Sequence, residues 1–356
     1  MNREVDSVEL SEKIRKRTNG LSDREILMHM FRKFYNIKDS EGIASRTLRQ
    51  YKENFKSFEA FLDEKIMMFR LEMLDLDFFR EYQFYMRNEV VKFQNHKYNL
   101  NGNKGLAAAT IRTRIKTLRV FFNCMEFEGY IDKSPIRGLK QYKEIDSDIK
   151  VLTKDELYRL LKSQDKLQYA QFRDHVLLNL LIDTMARIGE VTRLTVDDFN
   201  FDDLSVYIPA NISKSGRARK LPLHKNTVDL LKELIKENQD FNSEYLFLTG
   251  YGNVYKKDAF NKRLKMYAEK AGISKRLHSH LLRHTGATLF LENGGDQRHL
   301  QLLLGHADFR MILRYTHLGD KSIRNQHSKH SAINDVIPKL KRKRKNKRKY
   351  WDGEDL

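Results

Sequence analysis

Residues 276 to 318 read RLHSHLLRHTGATLFLENGGDQRHLQLLLGHADFRMILRYTHL, and the rest of the chain is organised around this stretch. His280 and Arg283 stand three apart and so share a face of a helix, with Leu281, Leu282, Thr285 and Leu289 expected on the opposite, core-facing side. Gly305 permits a left-handed backbone angle and is expected to end the preceding helix, which puts His306 on a turn and Tyr315 on the helix after it. These side chains offer a base, a fixed cation, a second hydrogen-bond donor and a nucleophilic hydroxyl. From His306 to Tyr315 the rise would be about 13 Å if all of it were helical, so spacing alone does not make one site of them.

The chain has 356 residues, enough for two domains with a core in each. Its net charge of +19 is spread along the length, as expected of a surface that meets a polyanion, and nucleic acid is the expected partner. A single cysteine, Cys124, excludes an internal disulfide and is expected to be a small buried hydrophobe in a reducing compartment. There is no apolar run of about eighteen residues and no signal-peptide pattern. The expectation is a soluble, cytoplasmic, nucleoid-associated protein with no membrane partner.

In chain order, residues 1–20 are expected to form a loose arm. Ser22 with Glu25 makes a capping box ahead of the helical spacing in ILMHMFRKFY. Further helices are expected over about 45–65, 75–93 and 107–127, with HKYNLNGNKGL as a turn-rich loop before the last. The aromatics of the third helix read as core. In the fourth, Ile111, Ile115, Leu118, Phe121 and Phe122 should face inward, leaving Arg112, Arg114, Lys116 and Arg119 as a phosphate-facing surface with no acid among them. This gives a helical domain over 21–134 and a linker over 135–150. A second domain is expected over 151–337, and a tail over 338–356 in which nine of the eleven residues from Lys339 to Lys349 are cationic.

The second domain opens on a capping box, Thr153 and Glu156, followed by helices over LYRLLKS and QFRDHVLLNLLIDTM. Then comes ARIGEVTRL, where Arg187 can add its planar fork to the free amides of a helix start or can simply pair with Glu190 in a surface turn. LSVYIPANISKSGRARKLPLH reads as a β-hairpin whose Ser-Lys-Ser-Gly turn carries Lys214. Helices over about 227–237 and 256–271, separated by a short Tyr-Leu-Phe-Leu strand, complete a mainly α chain with a small β-hairpin or sheet (α+β). His280 and His284 have the spacing of a zinc helix, but no glutamate follows His280 and Arg283 would repel a cation. No Gly-rich phosphate loop is present, so neither a metal nor a nucleotide cofactor is expected.

The run HLLRHTGAT from His280, the LLGH that ends at His306 and the YTH that begins at Tyr315 resemble the tyrosine recombinase, or phage integrase, family. TLRQYKENFKSFEAFL and AATIRTRIKTLRVFFNCMEFEGYIDKSPIRGL resemble the same family's core-binding domain. The resemblance implies a helical core-binding domain that grips one side of a duplex, and a mixed catalytic domain. It further implies strand exchange through a covalent 3′-phosphotyrosyl intermediate, with Tyr315 as nucleophile. Arg187 and Arg283 would hold the scissile phosphate, and Lys214 would protonate the leaving 5′ oxygen, with Lys220 and Lys225 as alternatives. His280 would be the acid/base partner and His306 a hydrogen-bond donor. The helix over about 321–337 resembles the segment that packs into a neighbouring subunit, so a homo-oligomer, tetrameric at synapsis, is expected. Accessory DNA-bending or directionality proteins are further expected partners. Leu282 and Gly286 are departures from the pattern around Arg283. Integration or excision of a mobile element, dimer resolution as in Xer systems, and a non-cleaving DNA-binding role stay open.

Overall fold

The computed structural model describes residues 20–91, 104–140 and 150–305. His306, Tyr315, most of the turn-rich loop, residues 141–149, the expected helix at 321–337 and the basic tail lie outside the described residues. The chain divides into two compact units, Met1–Ser147 and Asp148–Leu356. It is mainly helical with one three-stranded sheet.

The first unit holds α1 (Asp23–Ser40), α2 (Ser45–Lys65), α3 (Leu76–Asn88) and α4 (Ala108–Phe127). The capping box forms as expected: Glu25 N donates to Ser22 Oγ at 3.4 Å and Ser22 N to Glu25 Oε2 at 2.8 Å. The core is built of rings, with Phe31 stacked on Phe55 at 3.7 Å and Phe121 edge-on to Phe31, Phe34 and Phe55. Phe78, Phe79, Tyr82 and Tyr85 of α3 are buried in it, as are Ile111, Ile115, Leu118, Phe121 and Phe122 of α4. Cys124 is buried too. The stretch expected to be a linker begins inside this core. Ser134, Ile136 and Leu139 are buried, and Arg119 Nη2 donates to the Leu139 carbonyl at 2.8 Å.

The second unit runs α5 (Lys154–Lys162), α6 (Tyr169–Thr184), α7 (Ile188–Val191), β1 (Phe199–Asn200), β2 (Ser205–Ile208) and β3 (Arg219–Pro222). It continues with α8 (Lys225–Glu237), α9 (Lys257–Lys270), α10 (Ser279–Glu292) and α11 (Gln297–Leu304). Helix α6 is the axis of the core: Phe172, Val176, Leu177, Leu178, Leu180 and Leu181 are buried on all its sides, and α8 and α10 pack against it. The sheet is antiparallel in the order β1-β2-β3, with Val206 opposite Leu221 and Ile208 opposite Arg219. The expected Ser-Lys-Ser-Gly turn forms, with Gly216 N donating to the Ser213 carbonyl at 3.1 Å, and it carries Lys214 within the longer connection 209–218 between β2 and β3. The expected Tyr-Leu-Phe-Leu strand is reduced to single bridges, Thr195 with Tyr245 and Leu248 with Val254. Leu246, Phe247 and Leu248 are all fully buried, and the run is held by separate backbone bonds, Leu246 N to the Leu194 carbonyl at 3.0 Å and Tyr255 N to the Phe247 carbonyl at 2.9 Å.

Gly286 fixes how closely α10 approaches α6. A Cβ there would lie 2.8 Å from the Ile182 carbonyl oxygen and 2.9 Å from Met185 Cγ. This residue, a departure at the sequence level, is a contact requirement in the fold. Gly286→Ala should therefore destabilise the second unit by about 1–3 kcal/mol, the usual cost of overpacking, despite the better helix propensity of alanine. Denaturant unfolding of the full chain measures this, and a stabilised variant would show that the two helices separate freely.

Candidate active site

The site is assembled where α7, the hairpin and α10 meet. Arg187 sits immediately before α7, in extended backbone, with its Nη1 donating to Glu190 Oε1 at 3.1 Å and its amide to Glu190 Oε2 at 3.1 Å. Arg187 thus pairs with Glu190, but not in a surface turn, because Glu190 is 1% exposed. The four-residue α7 offers no free amide at Arg187, since Glu190 takes it. The same carboxylate accepts Arg219 Nη2 at 2.6 Å and, more distantly, the Lys214 amide at 3.4 Å. Burial pushes the Glu190 pKa up, yet the hydrogen bond and charge of Arg219, with the amide and charge of Arg187, outweigh it and hold the group below the ordinary carboxylate value. Glu190 is therefore the anionic post to which three strands of the site are tied.

His280 and Arg283 lie on α10 as expected, but they do not share an exposed face. His280 is exposed, whereas Arg283 is 4% exposed. Arg283 Nη1 donates to the Met185 carbonyl at 2.6 Å and Nη2 to the Leu304 carbonyl at 2.7 Å. Both acceptors are at helix carboxyl ends: Met185 caps α6 with φ +53°, and Leu304 is the last residue of α11, capped by Gly305 at φ +61°. The carbonyls that a helix leaves unsatisfied at this end, and the negative end of its dipole, favour a buried guanidinium. Leu281, Leu282 and Thr285 are buried as expected, and Leu289 is half-buried.

The start of α10 is held twice. Ser279 N donates to Asn261 Oδ1 of α9 at 2.8 Å, and Leu281 N donates to His278 Nδ1 at 3.2 Å, so His278 caps the helix through an unprotonated ring nitrogen. The His278 and His280 rings stand 6.4 Å apart. Although His280 is exposed as a residue, its ring is partly shielded from water, which lowers its pKa first; the charge of His278 when protonated and those of Arg283, Lys214 and Arg187 lower it further. Glu190 thus holds Arg187 beside the backbone of Lys214, His280 and Arg283 share α10, and the charges of all three cations are felt at His280, while His306 and Tyr315 lie outside the described residues. Lys220 is engaged by Asp203 on the sheet, and Lys225 opens α8.

Arg219 is the residue of this site that sequence reading passed over. In a strand that alternates, it stands on the inward side with Leu221, opposite buried Ile208, and an inward-pointing cation in a strand is the signal that could have found it. In the first unit, Arg112, Lys116 and Arg119 line one groove together with Gln83 and Asn123. Arg114 turns away from it, toward the buried Tyr82 ring.

Two family models match the chain: the phage integrase family over residues 150–322 and the phage integrase SAM-like domain over 26–143. The chain belongs to the phage integrase, or tyrosine recombinase, family. Tyrosine recombinase XerD of Listeria innocua is 28% identical over 284 residues, covering 78% of this chain and 90% of that protein. XerD of Staphylococcus aureus (strain N315) is 27% identical over 312 residues, covering 85% and 98%. Among solved structures, the Tn1549 transposon integrase in complex with circular intermediate DNA superposes with a TM-score of 0.66 at 18% identity, over 84% of this chain and 97% of that one. A lambda integrase dimer bound to a COC′ core site gives 0.63 at 18% identity, over 82% and 96%. At these identities the structural likeness concerns the fold.

Because the His280 pKa is lowered, its ring stays neutral as pH falls through the ordinary histidine value of about 6.5. Cleavage that uses His280 as base should therefore hold its rate through pH 6.5 and fall only below it. A pH profile of single-turnover cleavage checks this; an acid limb centred above 6.5 would contradict it.

Proposed function

We propose that this recombinase cuts and rejoins DNA at a specific site through a covalent 3′-phosphotyrosyl intermediate, with Tyr315 as nucleophile. The observation that supports the assignment of roles is that one buried carboxylate, Glu190, holds Arg187 beside the Lys214 loop, with His280 and Arg283 together on α10. A tyrosine hydroxyl with a pKa near 10 is ionised in only about one molecule in a thousand at pH 7, so the attack needs a base. In this reading the Tyr315 hydroxyl oxygen attacks the scissile phosphorus and its proton passes to His280. The bond from phosphorus to the 5′ oxygen breaks, and Lys214 delivers a proton to that oxygen. Arg187 and Arg283 hold the non-bridging oxygens and offset the charge that grows on them, while His306 donates a further hydrogen bond. The products are a phosphotyrosyl 3′ end and a free 5′ hydroxyl. Attack by a 5′ hydroxyl from another strand reverses the step, and the phosphotyrosyl bond conserves the energy of the broken one, so no nucleotide is consumed.

The substrate is double-stranded DNA, supported by the net charge of +19, the groove of Arg112, Lys116 and Arg119, and family membership. Strand exchange requires two duplexes and hence several subunits, which supports a tetrameric synapse on DNA in the cytoplasm, at the nucleoid. Accessory DNA-bending or directionality proteins would set its outcome. Among the described residues no helix is long and apolar enough to cross a membrane. Integration or excision of a mobile element is the biological role we favour. The XerD relatives favour a second reading, the resolution of chromosome or plasmid dimers.

Tyr315→Phe removes one oxygen and little packing. It should bind DNA as the parent does and form no covalent adduct with a supercoiled plasmid carrying the chain's own flanking DNA. An adduct that survives a denaturing gel in this variant would remove Tyr315 from its role and direct attention to Tyr350.

Removal of residues 339–356 should leave cleavage chemistry intact and weaken DNA binding. Nine cations lie in this segment, and each neutralised phosphate contributes about −0.9 to the slope of log affinity against log salt. If a third of them touch DNA, the slope becomes shallower by roughly three units. An unchanged slope in a salt series would make the tail a bystander.

A further inference from the structure

Arg219 joins three parts of the site through one side chain. It begins β3, is 10% exposed at its side chain, and donates through Nη2 to Glu190 Oε2 at 2.6 Å. Its Nε donates to the Leu303 carbonyl near the end of α11 at 3.3 Å. Its stem lies against Gly305, where a Cβ would meet Arg219 Cδ and Nε at 3.2 Å. The remaining Nη1 is buried and has no partner among the described residues.

The hairpin connection that carries Lys214 is tied to the segment 187–193 at three points. Arg193 Nη2 donates to the Ile212 carbonyl at 2.6 Å, the Lys214 amide reaches Glu190 Oε1 at 3.4 Å, and Arg219 grips the other oxygen of Glu190. Lys214 itself is exposed, and a free lysine side chain samples many rotamers. How often its ammonium meets the leaving oxygen thus depends on how firmly its backbone is held. We propose that Arg219 is a positioning residue for Lys214: through Glu190 it locks the hairpin beside Arg187, so that the lysine can protonate the 5′ oxygen. Arg193 holds the same loop from its other side.

The proposal rests on the reading of Lys214 as leaving-group acid, and the test separates the two. Single-turnover cleavage by the full chain is measured on a DNA substrate with either oxygen or sulfur at the scissile 5′ position. A thiol has a pKa near 8.5, so the sulfur leaves as thiolate and needs no proton donor. Arg219→Ala and Arg219→Lys should slow cleavage of the oxygen substrate by about 10²-fold, the cost of an ångström-scale misplacement, and the sulfur substrate should restore near-parental rates. Lys214→Ala should be rescued likewise, and Arg187→Ala should not.

If Lys214→Ala is rescued and the Arg219 variants stay slow with sulfur, Arg219 acts elsewhere and the proposal is overturned. Arg219 variants that cleave the oxygen substrate at the parental rate overturn it equally. If Lys214→Ala is itself not rescued, the lysine assignment fails and the proposal fails with it. Should Arg219→Ala not fold, as judged by thermal melting and DNA binding, Arg219→Lys and the exposed Arg193→Ala carry the test. Arg193→Ala frees the Ile212 carbonyl and should show the same rescue by sulfur.

Discussion

Arg283 is bound at the carboxyl ends of two helices at once, and the geometry of the second unit depends on that arrangement. Hydrogen bonds to charged donors contribute about 1.5–3 kcal/mol each, and those of Arg283 include bonds to the carbonyls of Met185 and Leu304. They close α6 and α11 onto α10, and they fix the guanidinium plane before any substrate arrives. Two local features make this feasible. Met185 and Gly305 both turn left-handed, which bares the last carbonyls of their helices, and Gly286 lets α10 lie against the Ile182 carbonyl. A charged side chain so deep would ordinarily be expelled or neutralised; here the negative ends of two helix dipoles replace water as its solvent.

Glu190 does for the opposite charge what those carbonyls do for Arg283. It is buried, held ionised by Arg219 and Arg187, and it spans both sides of the site with its two oxygens. The consequence is a cluster of cations whose mutual repulsion is partly offset from behind by a carboxylate, leaving the front open to an anion. The low pKa of His280 belongs to the same balance: burial and surrounding positive charge keep the ring neutral, which suits a base.

Much of the helical frame could be read from spacing, because capping boxes and apolar stripes are local. Ser22 with Glu25, Thr153 with Glu156 and the inward residues of α4 are examples. What escaped reading was non-local. Nothing in the interval between His280 and Arg283 tells that one is exposed and the other buried, because that depends on where the ends of α6 and α11 fall. The run Tyr245 to Leu248 reads as a strand because its residues are apolar, yet whether such a run pairs as a ladder or only through isolated bridges depends on its distant neighbours Leu194, Thr195 and Val254. Arg219 was hidden for a related reason: its importance comes from Glu190 and Gly305, which are 29 residues before it and 86 after it. The roles of Arg187, Lys214, His280 and Arg283 came from resemblance, and the fold contributes the buried carboxylate and carbonyls that hold them.

The two buried arginines share a further property. Arg283 binds the carbonyl of Leu304 and Arg219 binds that of Leu303, and the stem of Arg219 rests on Gly305. Both therefore grip the last turn of α11, the point from which the chain proceeds to His306 and on to Tyr315. One of these cations faces the phosphate in our reading, and the other governs the lysine loop through Glu190. A shift of this turn would thus be felt at the phosphate-binding arginine and at the leaving-group acid together.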